Sequence, residues 1–167
     1  MPAYNLDTAE AFARHARRAL EEDEDASLPT LQVALYNARV SLEMTLKALL
    51  EKAGMPVGSI RARNHHLRSL LNDLGTCQVK LQIGEQVRLV AATGARALEM
   101  SFHGAVLTVG WVIDAEDHEA SRFPNGIRYA QPSEIKDYPP AAVVAAAYRL
   151  LEWAREHWDD ITWSPTQ

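Results

Sequence analysis

The sequence predicts an all-α fold, a bundle of four to five helices with an irregular insertion before the last helix. In most segments apolar residues recur at three- and four-residue intervals, which is the spacing of one helix face. The segment from about Leu28 to Ala53 is apolar over more than one face, as is typical of a central helix packed on several neighbours. With 167 residues and no internal repeat, the chain suits one core, and we assign residues 1–167 to a single domain.

The first two helices are predicted from about Asp7 to Glu22 and from about Leu28 to Ala53. Either Asn5 or Asp7 would cap the first helix, because a side-chain oxygen can accept from the unpaired amides of the first turn. Gly54 suits the end of the second helix. The apolar stripe of this second helix contains Leu31, Leu35, Ala38, Leu42, Leu46, Leu49 and Ala53.

Two more helices are predicted in the middle of the chain. A loop from Gly54 to Asn64 precedes a short helix that begins near His66 and ends at Gly75. The fourth helix is predicted from near Ile83 to Met100. Its apolar stripe consists of Val87, Val90, Ala91, Gly94, Ala95 and Leu98.

The insertion before the last helix has no single interpretation. The apolar run from Ala105 to Ile113 either extends the fourth helix or forms a strand, and Gly104 and Gly110 favour a break. An Asn-Gly pair between Phe123 and Ile127 is typical of the tip of a small hairpin. The last helix is predicted from about Pro140 to Asp160, with proline in its first turn.

Charge is distributed unevenly along the chain. The formal net charge is -5, yet the stretch from Lys47 to Arg96 carries eight Lys and Arg residues against three Asp and Glu residues. A basic stretch inside an acidic protein can face an anion or an acidic partner. The alternative is an ordinary solvated helix face and loop.

Composition disfavours several classes of protein. No apolar run approaches the roughly 20 residues of a membrane helix, and no basic and apolar leader begins the sequence. We therefore expect a cytoplasmic protein without membrane contact. The residues from Asp114 to Glu119 include metal-ligand types, but we expect them on an exposed, solvated loop, and we predict no metal and no cofactor. The single Cys77 has no partner for a disulfide within the chain.

Three short motifs follow one another in an order found in a known family. The first lies in the long helix and comprises Ala38, Leu42, Glu43, Leu46, Lys47, Ala48 and Leu49. The second is the run His66, Leu67, Arg68, Ser69, Leu70 and Leu71. The third is Ile127, Arg128 and Tyr129, after which Ala130 stands where the family usually has proline. Together these residues resemble the HEPN family of helical domains, over about Leu31 to Trp158.

This resemblance implies a fold and a choice of functions. It implies an antiparallel, up-and-down helical bundle that commonly assembles as a dimer. Many family members resemble metal-independent endoribonucleases that use an arginine and a histidine separated by four to six residues. Others lack that pair and act as non-catalytic partners, often beside a nucleotidyltransferase-like protein in toxin–antitoxin or defence systems.

Two arginine–histidine pairs have the spacing that the enzymes of this family use. Four residues separate Arg61 from His66, and six separate Arg96 from His103. In such a pair the histidine moves a proton near neutral pH while the arginine stabilises charge on the phosphate. Because His66 also matches the family's ordinary histidine at a helix start, Arg96 and His103 are the candidate catalytic residues.

A binding site for phosphate or nucleic acid is the other interpretation of the basic region. Its candidate residues are Arg61, Arg63, His65, His66 and Arg68. They lie near a predicted helix start, where unpaired amides favour anions. Arg128 and Tyr129 either contact a nucleotide or have a structural role, in which Arg128 binds a carboxylate such as that of Glu43.

The function that the resemblance favours is a non-catalytic accessory component, binding nucleotide or RNA, of a prokaryotic defence, toxin–antitoxin or nucleotidyltransferase-associated system. The expected partners are a second copy in a homodimer, a nucleotidyltransferase-like protein, and RNA or a nucleotide. One alternative is a metal-independent endoribonuclease that uses Arg96 and His103. A second alternative is a structural module for protein interactions.

Overall fold

A computed structural model describes residues 2–22, 27–102, 104–116 and 140–163 of the chain. Its helices are α1 (Leu6–Glu21), α2 (Leu28–Ala53), α3 (Val57–Ala62), α4 (Leu67–Thr76), α5 (Val109–Glu116) and α6 (Pro140–Glu156). Its strands are β1 (Gln78–Ile83), β2 (Gln86–Ala91), β3 (Glu99–Phe102), β4 (Ala105–Thr108) and β5 (Ile161–Thr162), and a 3₁₀ turn covers Ala92–Ala95. The fold is therefore mixed α/β, and the predicted all-α bundle is wrong.

The long helices follow the periodicity of the sequence. The α1 helix is capped by Asn5, whose Oδ1 accepts a hydrogen bond from the amide of Thr8 at 2.8 Å. The α2 helix has the predicted bounds and ends at Gly54, which has a left-handed φ of 104° that glycine adopts without strain. The predicted short and final helices are confirmed as α4 and α6, but α6 ends at Glu156 rather than near Asp160.

The predicted fourth helix is replaced by strands. Val79, Leu81 and Ile83 alternate along β1, and this spacing places them on one face of a strand. Gly84, with a φ of 62°, then occupies a two-residue turn into β2, and Ile83 pairs with Gln86 across it. The helical stripe is misleading because Val87, Val90 and Ala91 recur at a helical spacing but lie in β2, which Gly84 turns back onto β1.

For the apolar run after this hairpin, the strand alternative is confirmed over its first part, and the extension of the fourth helix is wrong because that helix does not form. Ala105–Thr108 is a strand, β4, which pairs with β3 across a turn at Gly104, whose φ is 84°. Val109–Glu116 is then the helix α5, whose first turn is capped by the Thr108 hydroxyl accepting from the Trp111 amide at 3.1 Å. The hairpin predicted between Phe123 and Ile127 lies outside the described residues.

The strands form two small antiparallel sheets. The first has three strands in the order β2-β1-β5, so that the last described strand pairs with β1. The second contains β3 and β4. Val79 and Ile161, which pair across β1 and β5, are both buried and join the sheet to the helical core.

The α2 helix lies at the centre of the molecule and packs against α1, α4 and α6. Along α2 the largest side chains with no exposed surface are those of Leu42, Leu46, Leu49 and Leu50. The proposed central position of this helix is therefore confirmed. Within the four described ranges, no helix combines the length and the apolar character needed to cross a bilayer.

Both ends of the described chain bind the last turn of α2. The Glu51 carboxylate accepts hydrogen bonds from the amides of Ala3 and Tyr4, each at 2.8 Å. The carbonyl of Ala53, two residues later, accepts from the amide of Trp163 at 2.8 Å. The carboxyl end of α2 is thereby joined to the N-terminal segment and to β5.

Candidate functional site

Two arginines that are distant in sequence share one carboxylate. The Arg68 Nε donates to Asp114 Oδ1 at 3.0 Å, and the Arg96 Nη1 donates to Asp114 Oδ2 at 2.7 Å. Arg68 lies in the first turn of α4, Arg96 follows the 3₁₀ turn, and Asp114 lies on α5. The two arginine side chains are 49% and 39% exposed, so this cluster of two positive charges and one negative charge faces solvent. We name Arg68, Arg96 and Asp114 the arginine cluster.

Arg96 is fixed in the arginine cluster by two further contacts. Its Nη2 donates to Asn72 Oδ1 on α4 at 2.9 Å, and its carbonyl accepts from the amide of Gly110 at 2.9 Å. A β-carbon at Gly110 would lie 2.3 Å from Arg96 Cγ and 2.9 Å from Arg96 O. The close approach of α5 to Arg96 therefore requires glycine at position 110.

The α3–α4 turn carries the other predicted binding residues. Arg63 forms a bidentate ion pair with Asp73, with Nε–Oδ2 and Nη2–Oδ1 distances of 2.6 and 3.0 Å. Arg61, at the end of α3, is exposed. His66 is exposed as the N-cap residue of α4 and makes no side-chain capping bond. The chain turns here through Asn64, which has a left-handed φ of 50°.

His65 differs from its neighbours because it contacts the core helix. Its Nδ1 lies 2.9 Å from Glu43 Oε2, while Glu43 Oε1 accepts from Lys47 Nζ at 2.7 Å. Glu43 and Lys47 are each 6% exposed, so this ion pair is buried on one side of α2. His65 therefore attaches the α3–α4 turn to α2. The predicted partner of Glu43, Arg128, lies outside the described residues.

A buried ion pair anchors the end of α5 that carries Asp114. The Arg39 Nη1 on α2 lies 2.8 Å from Glu116 Oε2, and Arg39 Nη2 donates to the Glu116 carbonyl at 3.2 Å. The exposed loop predicted from Asp114 to Glu119 is therefore wrong for its first part, because Asp114 and Glu116 belong to α5 and Glu116 is fully buried. Residues 117–119 lie outside the described ranges.

Cys77 is buried next to this region and is a poor nucleophile. Burial, together with the charge of Asp73, raises the pKa of its thiol from 9.0 to about 11. Its Sγ contacts the Asp73 carbonyl oxygen at 3.8 Å. Since the thiolate is the reactive form, Cys77 has little nucleophilic character near neutral pH.

The structure brings together only part of the predicted site. Arg96, a predicted catalytic residue, and Arg68, a predicted phosphate-binding residue, meet at Asp114. The proposed catalytic partner of Arg96, His103, lies outside the described residues, as do Arg128 and Tyr129. Among the residues that the structure describes, no group of three or more His, Cys, Asp or Glu side chains has the arrangement of a metal site.

Sequence reasoning missed the residues that position the arginines. These are Asn72, Asp73, Gly110 and Asp114. Gly110 carried a signal, because a glycine inside an apolar run often marks a close approach of backbone. No protein-family model matches this chain, and no curated protein or solved structure is significantly similar to it. The resemblance to HEPN domains accordingly stays a prediction.

Proposed function

We propose that this chain is a non-catalytic domain that binds the phosphates of RNA or of a nucleotide at the arginine cluster. The observation that carries the proposal is the sharing of Asp114 by Arg68 and Arg96. The three side chains of the cluster carry two guanidinium groups and one carboxylate, a formal net charge of +1. Guanidinium groups bind phosphate oxygens through paired hydrogen bonds, which makes them the usual ligands for this anion.

The arginine cluster is held in place before a ligand arrives. Asp114 binds both guanidinium groups, Asn72 binds the second nitrogen of Arg96, and the buried Arg39–Glu116 pair holds α5. Such preorganisation lowers the entropy lost when a ligand binds, because fewer side chains must be ordered at that moment.

The start of α4 adds to the attraction for an anion. Arg68 lies in its first turn, and the exposed Arg61 and His66 lie nearby in the chain. The N-terminus of a helix carries partial positive charge, and His66 supplies no side-chain cap to neutralise it. Arg63 contributes less, because Asp73 pairs with it in a bidentate arrangement.

The contacts of Arg96 support binding over catalysis. Two nitrogens of its guanidinium bind Asp114 and Asn72. These contacts use two of the five N–H donors of the guanidinium, which fixes Arg96 and leaves donors for a phosphate, and neither contact is with a histidine that could move a proton. The accessory role in a defence, toxin–antitoxin or nucleotidyltransferase-associated system belongs to the same proposal, and only the resemblance to HEPN domains supports it.

The test is a titration of single-stranded RNA and of ATP against the purified chain in the presence of a chelator. Arg68→Ala and Arg96→Ala should each weaken binding and lower the slope of log K against log salt by about one. Arg88→Ala removes an exposed arginine of β2 and serves as the control with matched charge. Arg68→Lys should recover part of the affinity, since it keeps the charge but loses the guanidinium fork.

Two results would contradict this proposal. Either the two variants bind as tightly as the parent chain, or Arg88→Ala weakens binding as much as they do. Comparing RNA with ATP identifies the source of the phosphate. Circular dichroism of each variant checks that the fold is retained.

A further inference from the structure

Among the residues that the structure describes, the β2 strand forms an edge of the three-stranded sheet. The strand order is β2-β1-β5, and within these residues β2 pairs on one side only, with β1. Ile83 and Gln86 flank a two-residue turn and therefore form a hydrogen-bonded pair. Along an antiparallel ladder, hydrogen-bonded pairs alternate with non-hydrogen-bonded pairs. The backbone groups of Val87, Leu89 and Ala91 therefore point away from β1.

The same residues expose apolar side chains. Val87 is 63% exposed and Leu89 is 56% exposed, and Ala91 is also exposed. In β1 the alternate residues Val79 and Leu81 face the core, so Val87 and Leu89 project from the opposite, solvent-facing side of the hairpin. An edge with unpaired backbone groups and aliphatic side chains is a template for adding another strand.

We propose that the β2 edges of two copies of this chain pair antiparallel about a two-fold axis at Leu89. The two three-stranded sheets then become one six-stranded sheet. This proposal concerns a different surface from the arginine cluster and does not depend on phosphate binding.

The register follows from the sequence of β2. Hydrogen bonds between the two β2 strands form only where an outward-pointing residue of one copy lies opposite an outward-pointing residue of the other. Near the middle of the strand this condition allows a two-fold axis at position 87, 88 or 89. An axis at Arg88 would place two arginines opposite each other, which is unfavourable. An axis at Val87 would place the charged Glu85 opposite Leu89.

An axis at Leu89 avoids both conflicts. It places Leu89 opposite its own copy, Val87 opposite Ala91, and Arg88 opposite Val90. All apolar residues of the solvent-facing side then meet at the centre of the joint sheet. Lys80, which pairs with Leu89 within each chain, borders this patch on both sides. The edge is thus complementary to itself, which is why we assign a second copy as its occupant.

Cysteine cross-linking tests both the contact and the register. In the proposed dimer the two Leu89 Cα atoms lie about 5.5 Å apart, within the range that a disulfide spans. The two Val87 Cα atoms are offset by four residues and lie about 14 Å apart, beyond that range. Under mild oxidation Leu89→Cys should therefore form a covalent dimer and Val87→Cys should not. Native Cys77 is buried and does not compete.

Sedimentation of the full-length chain over a dilution series tests the strand edge itself. The parent chain should dimerise, and Leu89→Lys should weaken the dimer about tenfold or more by placing two like charges opposite each other. Leu89→Pro removes an outward-pointing amide that β1 does not use, so the hairpin should persist while the dimer is lost. Lys80→Gln, on the same face but on the inner strand, should leave the dimer intact.

The proposal is overturned if the parent chain is a monomer at every concentration. This outcome includes the case in which the monomer binds an extended strand of another protein at β2. It is also overturned if the chain dimerises but Leu89→Pro remains a dimer and Leu89→Cys does not cross-link. Equal cross-linking of the two cysteine variants would reject the register and with it the two-fold axis at Leu89.

Discussion

Gly110 and Arg96 are in contact without space for a side chain between them. A β-carbon at position 110 would lie 2.3 Å from Arg96 Cγ and 2.9 Å from Arg96 O. The backbone oxygen cannot move without shifting the segment between β2 and β3. One glycine therefore controls both the docking of α5 and the position of an arginine of the candidate site.

We predict that Gly110→Ala lowers the free energy of unfolding by about 1–3 kcal/mol, the usual cost of an overpacked contact. The matched control is Gly58→Ala in α3, where nothing lies within 4 Å of the added carbon and φ is not in the left-handed region. That control should be neutral or stabilise the protein by up to about 1 kcal/mol, because alanine favours a helix over glycine. Urea unfolding measures both. Equal stability of the two variants would show that α5 tolerates the added carbon.

Removing one partner of the Arg39–Glu116 ion pair should lower the free energy of unfolding strongly, whereas replacing both partners by apolar residues should lower it little. Its side chains are 2% and 0% exposed. We expect Glu116→Ala to lower the free energy of unfolding by about 3–5 kcal/mol, because it leaves a buried guanidinium without its carboxylate. Combining Arg39→Met with Glu116→Leu should recover most of that loss, since a well-packed apolar pair has no charge to desolvate.

Urea unfolding of the single and double variants measures this difference. If the double variant is no more stable than Glu116→Ala alone, the contribution of the pair is specific to its hydrogen bonds rather than to its charge.

The burial of Cys77 predicts a loss of stability at high pH. Its thiol has a pKa of about 11 in the folded chain, against an ordinary value of 9.0 for an exposed cysteine. As the pH rises above 9, the unfolded chain loses this proton while the folded chain keeps it. Ionisation then favours the unfolded chain, and the stabilising contribution declines until the pH passes about 11.

The measurement compares the parent chain with Cys77→Ala from pH 8 to pH 11. As the pH rises through this window, the free energy of unfolding of the parent chain should fall relative to that of Cys77→Ala. Other titrating groups are common to both proteins and cancel. A difference that stays constant across the window would contradict a raised pKa.

We predict that the chain does not cleave RNA. The purified chain should not cleave a structured RNA in the presence of a chelator, because Arg96 is held by Asp114 and Asn72 and neither residue is a histidine that could move a proton. Cleavage that His103→Ala and Arg96→Ala both abolish, with the fold retained, would instead support the metal-independent endoribonuclease. Cleavage unchanged in both variants would indicate a contaminant.

Helical periodicity predicted the bounds of the long helices well, because each helix buries a continuous stripe and carries its own terminal signals. Asn5 and Gly54 are local signals of this kind. The β1–β2 hairpin was missed because Val87, Val90 and Ala91 recur at a helical spacing although they lie in the strand β2. Gly84 was the deciding residue, and its turn conformation becomes evident only when two strands pair across it.

The candidate site was predicted in part. Basic residues between positions 61 and 96 were identified from charge, yet charge alone does not identify their partners. Asp114 lies 46 residues from Arg68 and 18 from Arg96, so their contact depends on how α4 and α5 pack. Periodicity describes one helix at a time and contains no information on such long-range pairs.

The attachment of the first and last described segments to one turn of α2 has a consequence for engineering. Ala3 binds Glu51 and Trp163 binds Ala53, so two segments that are 160 positions apart in sequence meet at neighbouring residues. A short glycine-rich bridge between them should produce a circular permutant, with new termini opened elsewhere on the surface. The order in which the chain is synthesised would then change, while the helix at its centre would keep every neighbour.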